Sequence, residues 1–320
     1  MTNLVVHNPL PHALAHYQSA LTETLDEAGF SFQIARSPSI EGETNRLRKT
    51  SEWLSYLRTE SARRDTHHLV LWPPMGYLEL AASRLLRGSA SIMVHDPRPL
   101  RKQIGLGQIS SRFGRVVGGG RCELIVHSLE AAAELERRHL QSVVLPHPVT
   151  IHNRALPGRR RSTRAARIVR VIGQHKPSRR MDVMTRISDW RDKQKGTVQL
   201  EIHGHGWERV PGWEVNSRWY SETDFDELIE TSDAVIIPYT EYYQSGVAVR
   251  ALERLVPVVA AGHWFGSFFG EDYGGRVRSD AWEDALGRAL ALPAEEARLR
   301  RKAATSVSLA AWTAWARCAS

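Results

Sequence analysis

The sequence predicts an α/β fold of two Rossmann-like domains facing across a cleft. Short apolar runs alternate with helical stretches in both halves, most of the runs end in a polar or aromatic residue, and a polar Arg-, Pro- and Gly-rich stretch separates the halves. The expected boundaries are 1–152 for the first domain, 153–166 (NRALPGRRRSTRAA) for the linker and 167–304 for the second. Residues 305–320 carry Leu309, Trp312 and Trp315 on one face of a terminal helix, expected to cross back onto the first domain.

In order, Leu4–Val6 predicts a strand, 13–28 a helix closed by Gly29, and 30–35 a second strand with Phe30, Phe32 and Ile34 alternating. A polar helix from about Glu43 is anchored by Leu47, Trp53, Leu54 and Leu57. Strands follow at 68–73, 91–97, 122–126 and 143–148, with helices at 76–87 and 129–138, Ser128 capping the latter. His7, Trp72, His95, His127 and His147 close strands. One such histidine is more often structural; several along the carboxyl edge of one sheet favour a cleft.

The second half repeats the grammar. A strand at 168–172 leads to Gly173-Gln174-His175-Lys176-Pro177-Ser178-Arg179-Arg180 and a helix at 181–193. A strand at 198–202 leads to His203-Gly204-His205-Gly206; 213–216 is a short strand, and Ser221 followed by Asp224 opens a helix. The centre of the chain is Ser232–Ala261. Ala234–Ile237 is a buried strand stopped by Pro238, Ser245 is an N-cap, and Val247, Ala251 and Leu255 give a helix with one packed face. The strand Pro257–Ala260 follows. Ser245-Gly246 at a helix start presents N–H groups and the positive dipole end, a setting for phosphate; the alternative is an ordinary crossover. Helices at 281–292 and 294–304 precede the terminal one.

Composition narrows the function classes. No run of 18 apolar residues predicts a membrane span, and the first residues lack the form of a secretory signal, so a cytoplasmic setting is expected. Cys122 and Cys318 are far apart in sequence and in no zinc-type spacing, which argues against a disulfide framework or a cysteine metal site. The net charge of +8 points to nucleic acid, an anionic surface or a phosphorylated ligand. No zinc-finger, helix-turn-helix or RNP signature supports nucleic acid. Arg98, Arg101 and Lys102 with Ile104, Leu106 and Ile109 form a basic-apolar segment, either a peripheral membrane contact or an acceptor-site loop.

Residues 167–265 resemble the nucleotide-binding domain of GT-B glycosyltransferases, in particular retaining glycosyltransferase family 4 (group 1). Gly173, Lys176 and Arg179 are similar to that family's G-Q-x-R-P-x-K loop, His203-Gly204-His205-Gly206 to its Gly-x-Gly loop, and Pro238-Tyr239 with Gln244-Ser245-Gly246-Val247 and Pro257-Val258-Val259 to its phosphate segment. In the first half, His95-Asp96-x-x-Pro99, His127-Ser128 and Pro146-His147-Pro148 have counterparts. The resemblance implies a metal-independent, hexosyltransferase-like enzyme (EC 2.4) with no cofactor, using a nucleotide-sugar donor and a sugar or lipid-linked acceptor in polysaccharide or glycolipid assembly. The setting would be the cytoplasm or the inner membrane face.

The resemblance makes His95, Lys176 and Arg179 catalytic. It makes Gly173, His203, Gly204, His205, Tyr239, Gln244, Ser245, Gly246 and Val247 donor-binding, with Tyr242 an alternative liner. Asn8, His12 and His16 face the acceptor. Cations over a departing diphosphate act most in the transition state, which is why Lys176 and Arg179 carry the assignment. Relatives carry two glutamates eight positions apart. Here Tyr242 and Arg250 hold those positions, with Glu241 and Glu253 out of register, and Arg250 is expected near phosphate or solvent. The alternatives are a nucleotide-sugar epimerase or hydrolase, or a non-catalytic GT-B subunit.

Overall fold

The computed structural model describes residues 3–42, 45–60, 62–63, 65–98, 105–118, 122–151, 166–194, 196–239 and 242–319. The chain divides into two compact units, Met1–His152 with Thr305–Ser320, and Asn153–Ala304. The expected linker lies almost wholly outside the described residues, as do Pro99, Arg101, Lys102, Ile104 and Glu241.

The first unit is built on strands β1 (Asn3–His7), β2 (Phe32–Ala35), β3 (Thr66–Val70), β4 (Ser89–Met93), β5 (Cys122–Val126) and β6 (Val143–Val144). All pairs are parallel, in the order β2-β1-β3-β4-β5-β6. β3 is buried along its whole length, as a strand covered on both faces must be. Its helices are α1 (Ala15–Glu27), α2 (Arg46–Glu60), the short α3 (Glu79–Ala82), α4 (Gln108–Gly118) and α5 (Leu129–Glu136). The Ser128 Oγ caps α5 by accepting from the Ala131 N–H at 3.1 Å.

The second unit holds β7 (Arg167–Ile172), α6 (Met181–Lys193), β8 (Val198–His203), β9 (Glu214–Asn216), α7 (Glu222–Glu230), β10 (Ala234–Ile237), α8 (Gly246–Glu253), β11 (Val258–Ala260), α9 (His263–Phe269) and α10 (Trp282–Ala291). Its parallel order is β11-β10-β7-β8-β9. The chain runs from β7 outward to β9, then returns to the other side of β7 as β10. Strand order therefore reverses between β7 and β10, the point where open α/β sheets leave a crevice at their carboxyl ends.

Helix α11 (Ala294–Ala319) ends the chain. Trp312 and Trp315 belong to the same apolar core as Leu21, Leu69, Met93 and Ile125 of the first unit, and the Trp312 indole donates to the Pro146 carbonyl at 3.0 Å. The sequence divides α11 at Ala304; the structure has one uninterrupted helix, since neither Gly nor Pro interrupts residues 294–319.

Four further expectations change. Residues 76–87 form a 3-10 turn, α3 and another 3-10 turn rather than one helix. Gly76 sits at φ +60°, and the Ser83 hydroxyl bonds back to the Leu80 carbonyl at 2.8 Å, competing with the helical ladder. Leu47 is no anchor: it is 84% exposed on the first turn of α2, while Trp53 and Leu57 are buried. α8 buries Ala248, Val249, Arg250, Ala251, Leu252 and Glu253, so it is enclosed on nearly all sides rather than packed on one face. Helices α4 and α9 are additions, both containing glycines that read as breaks in sequence.

Candidate functional site in the carboxy-terminal unit

Three loops leave the carboxyl ends of the neighbouring strands β8, β7 and β10. Gly173 takes φ +107° as the chain leaves β7, and Gly204 takes φ +155° after β8. A Cβ on Gly204 would lie 2.2 Å from the Gly173 carbonyl oxygen, so only glycine permits this approach of the two loops. The His175 N–H donates to the His205 carbonyl at 3.0 Å, and the Trp207 indole donates to the Gly173 carbonyl at 2.9 Å. On the other side, the Arg180 N–H donates to Pro238 O at 2.7 Å, and Arg179 bridges Tyr239 in antiparallel sense. The loop carrying Lys176 and Arg179 is thus tied to the loops that follow both neighbouring strands.

The two cations on that loop differ. Arg179 is buried, its guanidinium centred 4.8 Å from the Trp207 ring and 4.9 Å from the Tyr239 ring. It donates to the carbonyls of Ile172 at 3.3 Å and Gln174 at 3.1 Å. Burial lowers its pKa, with Tyr239 opposing the shift. Arg179 therefore organises the loop from within. Lys176 is half-buried, with Nζ 6.0 Å from the Tyr239 ring centroid; no ion pair engages it among the described residues. Its ammonium faces the Tyr239 ring and has no anionic partner among the described residues.

Beyond Tyr239 the chain reaches the N-terminus of α8. The Ser245 Oγ accepts from the Ala248 N–H at 3.3 Å, capping the helix. Gly246 is exposed, and a Cβ built on it would meet nothing within 4 Å. Open space therefore lies over the first turn of a helix whose leading N–H groups and dipole favour an anion. Val247 and Gln244 flank this turn, both half-buried.

Several predicted ligand contacts turn inward instead. The His203 ring is held by Tyr220 Oη at 2.9 Å and Glu201 at 2.8 Å. Burial raises the Glu201 carboxyl, but hydrogen bonds from His203 and Arg170 outweigh it and hold the group at about 2. His203 is thus a structural member of an Arg170–Glu201–His203–Tyr220 network, and only its backbone faces the loop. Arg250 does not approach the strand edge: it pairs with Glu222 at 2.9 Å and with Asp226, and its guanidinium lies 4.7 Å over the Phe225 ring. Residues from α7 fill the space around it. The Tyr242 hydroxyl donates to the Ala261 carbonyl and the ring edges onto Trp264. His205 is exposed and stacks on Trp219, itself 69% exposed, at 4.5 Å and 15°. Trp219 gave no signal in sequence, because a lone tryptophan between a short strand and a helix reads as core.

The first unit gathers histidines at the carboxyl edge of its own sheet. Tyr17, from α1, is the hub: its hydroxyl lies 3.0 Å from His127 Nε2, and its ring meets His95, His127 and His147 at 4.9, 5.5 and 5.0 Å. His95 bonds the Leu71 carbonyl through Nε2 at 3.0 Å and stacks on Trp72. Burial pulls His95 down to about 4, with the Leu71 carbonyl opposing. His147 falls to about 3 through burial, against the bond to its neighbour's carbonyl and with His95 and His16 adding repulsion. These rings are neutral near pH 7, so His95 acts there as a hydrogen-bonding imidazole rather than a cation.

Of the three expected acceptor residues, His16 belongs to this cluster, and His12 is exposed with its N–H donated to Glu41. Asn8 is spent on structure: Oδ1 accepts from the Leu10 N–H at 3.0 Å and Nδ2 donates to Gln18 at 2.8 Å. The turn it forms shapes the first loop. A 1040 Å³ cavity lies instead at the amino ends of β4 and β5, lined by Ser89, Glu123, Trp315 and the two free thiols, Cys122 and Cys318. It contains none of the predicted site residues.

No family model matches the chain, and no curated protein matches it in sequence. Solved structures do. The UDP-forming α,α-trehalose-phosphate synthase of Burkholderia vietnamiensis is 12% identical, with a TM-score of 0.63 over 99% of this chain and 97% of that one. WaaG, a glycosyltransferase involved in lipopolysaccharide biosynthesis, gives 12%, 0.61, 99% and 98%. A point mutant of S. aureus TarM, in complex with Fondaparinux, α-GlcNAc-glycerol and UDP, gives 14% and 0.59 over 81% of this chain. The chain spans about half the length of TarM, matching 55% of it. At this level of identity the likeness concerns architecture, and with the strand order and the loops above it establishes that the chain has the fold of the GT-B glycosyltransferases.

Proposed function

We propose that the chain is a glycosyltransferase that moves a sugar from a nucleotide-sugar donor to an acceptor hydroxyl, with retention of configuration. The supporting observation is that a lysine with no ion pair among the described residues and an open, capped helix N-terminus both follow the strands at the strand-order reversal of the second unit. A leaving nucleoside diphosphate gains charge as the glycosidic bond breaks. Lys176 and the first N–H groups of α8 stabilise that charge most in the transition state. Arg179 holds the loop between Trp207 and Tyr239, Gly173 and Gly204 let the backbone come close, and the exposed His205–Trp219 stack offers a face to the base. The charge is met by side chain and helix dipole, with no metal in the transfer. UDP is the first nucleotide to test, since the related TarM complex contains it and the trehalose-phosphate synthases are UDP-forming.

In the first unit, His95 contacts the transferred sugar as a neutral imidazole, with His12 and His16 on the acceptor side. The acceptor is a sugar or a lipid-linked sugar. α4 supports work beside a membrane: Ile109, Phe113 and Val116 are 86%, 53% and 74% exposed at i, i+4 and i+7, with Arg112 and Arg115 on the same helix. No helix among the described residues is long and apolar enough to cross a bilayer, so contact by α4 would be peripheral. Flotation with anionic liposomes at low salt is expected to carry the protein; Phe113→Ser should abolish that, and wild-type protein left at the bottom removes the membrane part of the reading.

The donor reading is tested by thermal shift against UDP, GDP, ADP and TDP, since a ligand bound only by the folded state raises its stability. One nucleotide is expected to stabilise the protein. Lys176→Ala should cut turnover by orders of magnitude at unchanged melting temperature, whereas Arg179→Ala should lower both. Wild-type turnover in Lys176→Ala would refute the assignment.

A further inference from the structure

We propose that the amino-terminal unit binds one divalent cation, zinc by its ligand chemistry, through His7 on β1, His68 on β3 and Glu60 at the end of α2. Ligand atoms from the three residues lie within 4.8 Å of one another, the one such group among the described residues. His7 and His68 are fully buried, with His7 Nε2 3.0 Å from His68 Nδ1. Two buried atoms of the trio, His68 Nε2 and Glu60 Oε2, have no hydrogen-bond partner. Glu60 Oε2 meets the Arg63 guanidinium as an ion pair, whereas His68 Nε2 is buried with no partner; an orphaned imidazole nitrogen beside a carboxylate costs its full desolvation and points to a missing electrophile.

The donor set selects the ion. Two imidazoles and one carboxylate suit zinc and disfavour calcium or magnesium, which want oxygen shells. Tyr56 supplies the outer contact that zinc histidines need: its hydroxyl is 2.6 Å from His7 Nδ1, which turns Nε2 toward His68. Arg63 is the competing charge. Its Nε lies 2.8 Å from Glu60 Oε2 without hydrogen-bond geometry, its other end donates to Gln33, and its side chain is 43% exposed, free to swing to solvent as a cation enters. The ion would pin α2 to β1 and β3. It is separate from sugar transfer and does not depend on that reading.

The test uses the full chain stripped with a chelator. Titration with Co²⁺ should give visible d–d absorption at one equivalent, displaced by Zn²⁺, and Zn²⁺ should raise the melting temperature. Glu60→Gln keeps the shape and removes the charge; it should weaken Zn²⁺ more than the roughly 10-fold to 100-fold of an outer-shell change. Arg63→Gln should tighten it, a gain that a chance surface histidine site would not show. Absence of the Co²⁺ band in wild-type protein overturns the proposal, as does Zn²⁺ affinity unchanged in both variants. His68→Gln adds a third reading if it folds, and the two surface-proximal variants suffice if it does not.

Discussion

At the residue scale the decisive facts are which polar groups are spent. Lys176 and Arg179 look equivalent in sequence, three positions apart on one loop, yet the fold encloses Arg179 and leaves Lys176 half-buried. The difference comes from Trp207, 28 residues downstream of Arg179, which spacing within the loop cannot reveal. His203 and Arg250 were legible as polar residues near a strand edge; their partners, Tyr220 and Glu222, come from other elements and were not. The histidine cluster makes a testable difference with pH. His95 and His147 are held near 4 and 3 by burial, below the unfolded value of about 6.5. The unfolded chain therefore binds more protons, so stability is full above pH 6.5 and declines as pH falls toward 4, by up to about 1.4 kcal/mol per pH unit for each ring. Chemical denaturation at pH 7, 6, 5 and 4 should show this decline, and His147→Gln should flatten it. An unchanged slope in the variant would mean that other groups set the acid limit.

At the element scale, strands were more legible than helices. Cys122–Val126 and Ala234–Ile237 are bounded as the sequence bounds them, because short β-branched runs stopped by polar residues or proline admit few alternatives. α4 was missed for a physical reason. Gly114 and Gly118 read as helix breakers, yet they sit where the helix meets the 76–85 segment, and a Cβ on Gly114 would lie 2.1 Å from the Tyr77 carbonyl oxygen. The glycines serve packing, at a cost in propensity. α8 was placed correctly and its environment misjudged, since Arg250 looks solvent-bound until α7 is beside it. Arg250 clamps α8 to α7 through Glu222 and Asp226, partners that are 54% and 29% exposed. Partial exposure of the acids weakens the pair, so Arg250→Gln should cost about 1–3 kcal/mol in unfolding free energy, less than a fully buried pair. If Arg250 served phosphate instead, the variant would keep its stability and lose nucleotide affinity.

At the scale of the whole molecule, the α/β alternation and the Arg-rich break carried the architecture, while the ligand chemistry rests on contacts between loops of neighbouring strands. The terminal helix joins the two kinds of information. Its Leu309, Trp312 and Trp315 pattern can be read from sequence, but what it covers cannot. Trp312 is fully buried against the first unit's sheet, and Trp315 donates to Glu123 at 2.7 Å while edging onto His67. The first unit's core is therefore completed by residues some 170 positions beyond its last strand, so its folding must await α11. Trp312→Ala removes a large side chain and an indole bond to Pro146, and is expected to cost about 3–5 kcal/mol. The loss falls on the first unit alone, so unfolding should split into two transitions, the earlier one insensitive to nucleotide and the later one still raised by it. A single transition shifted as a whole would show instead that the two units unfold together and that the helix stabilises both.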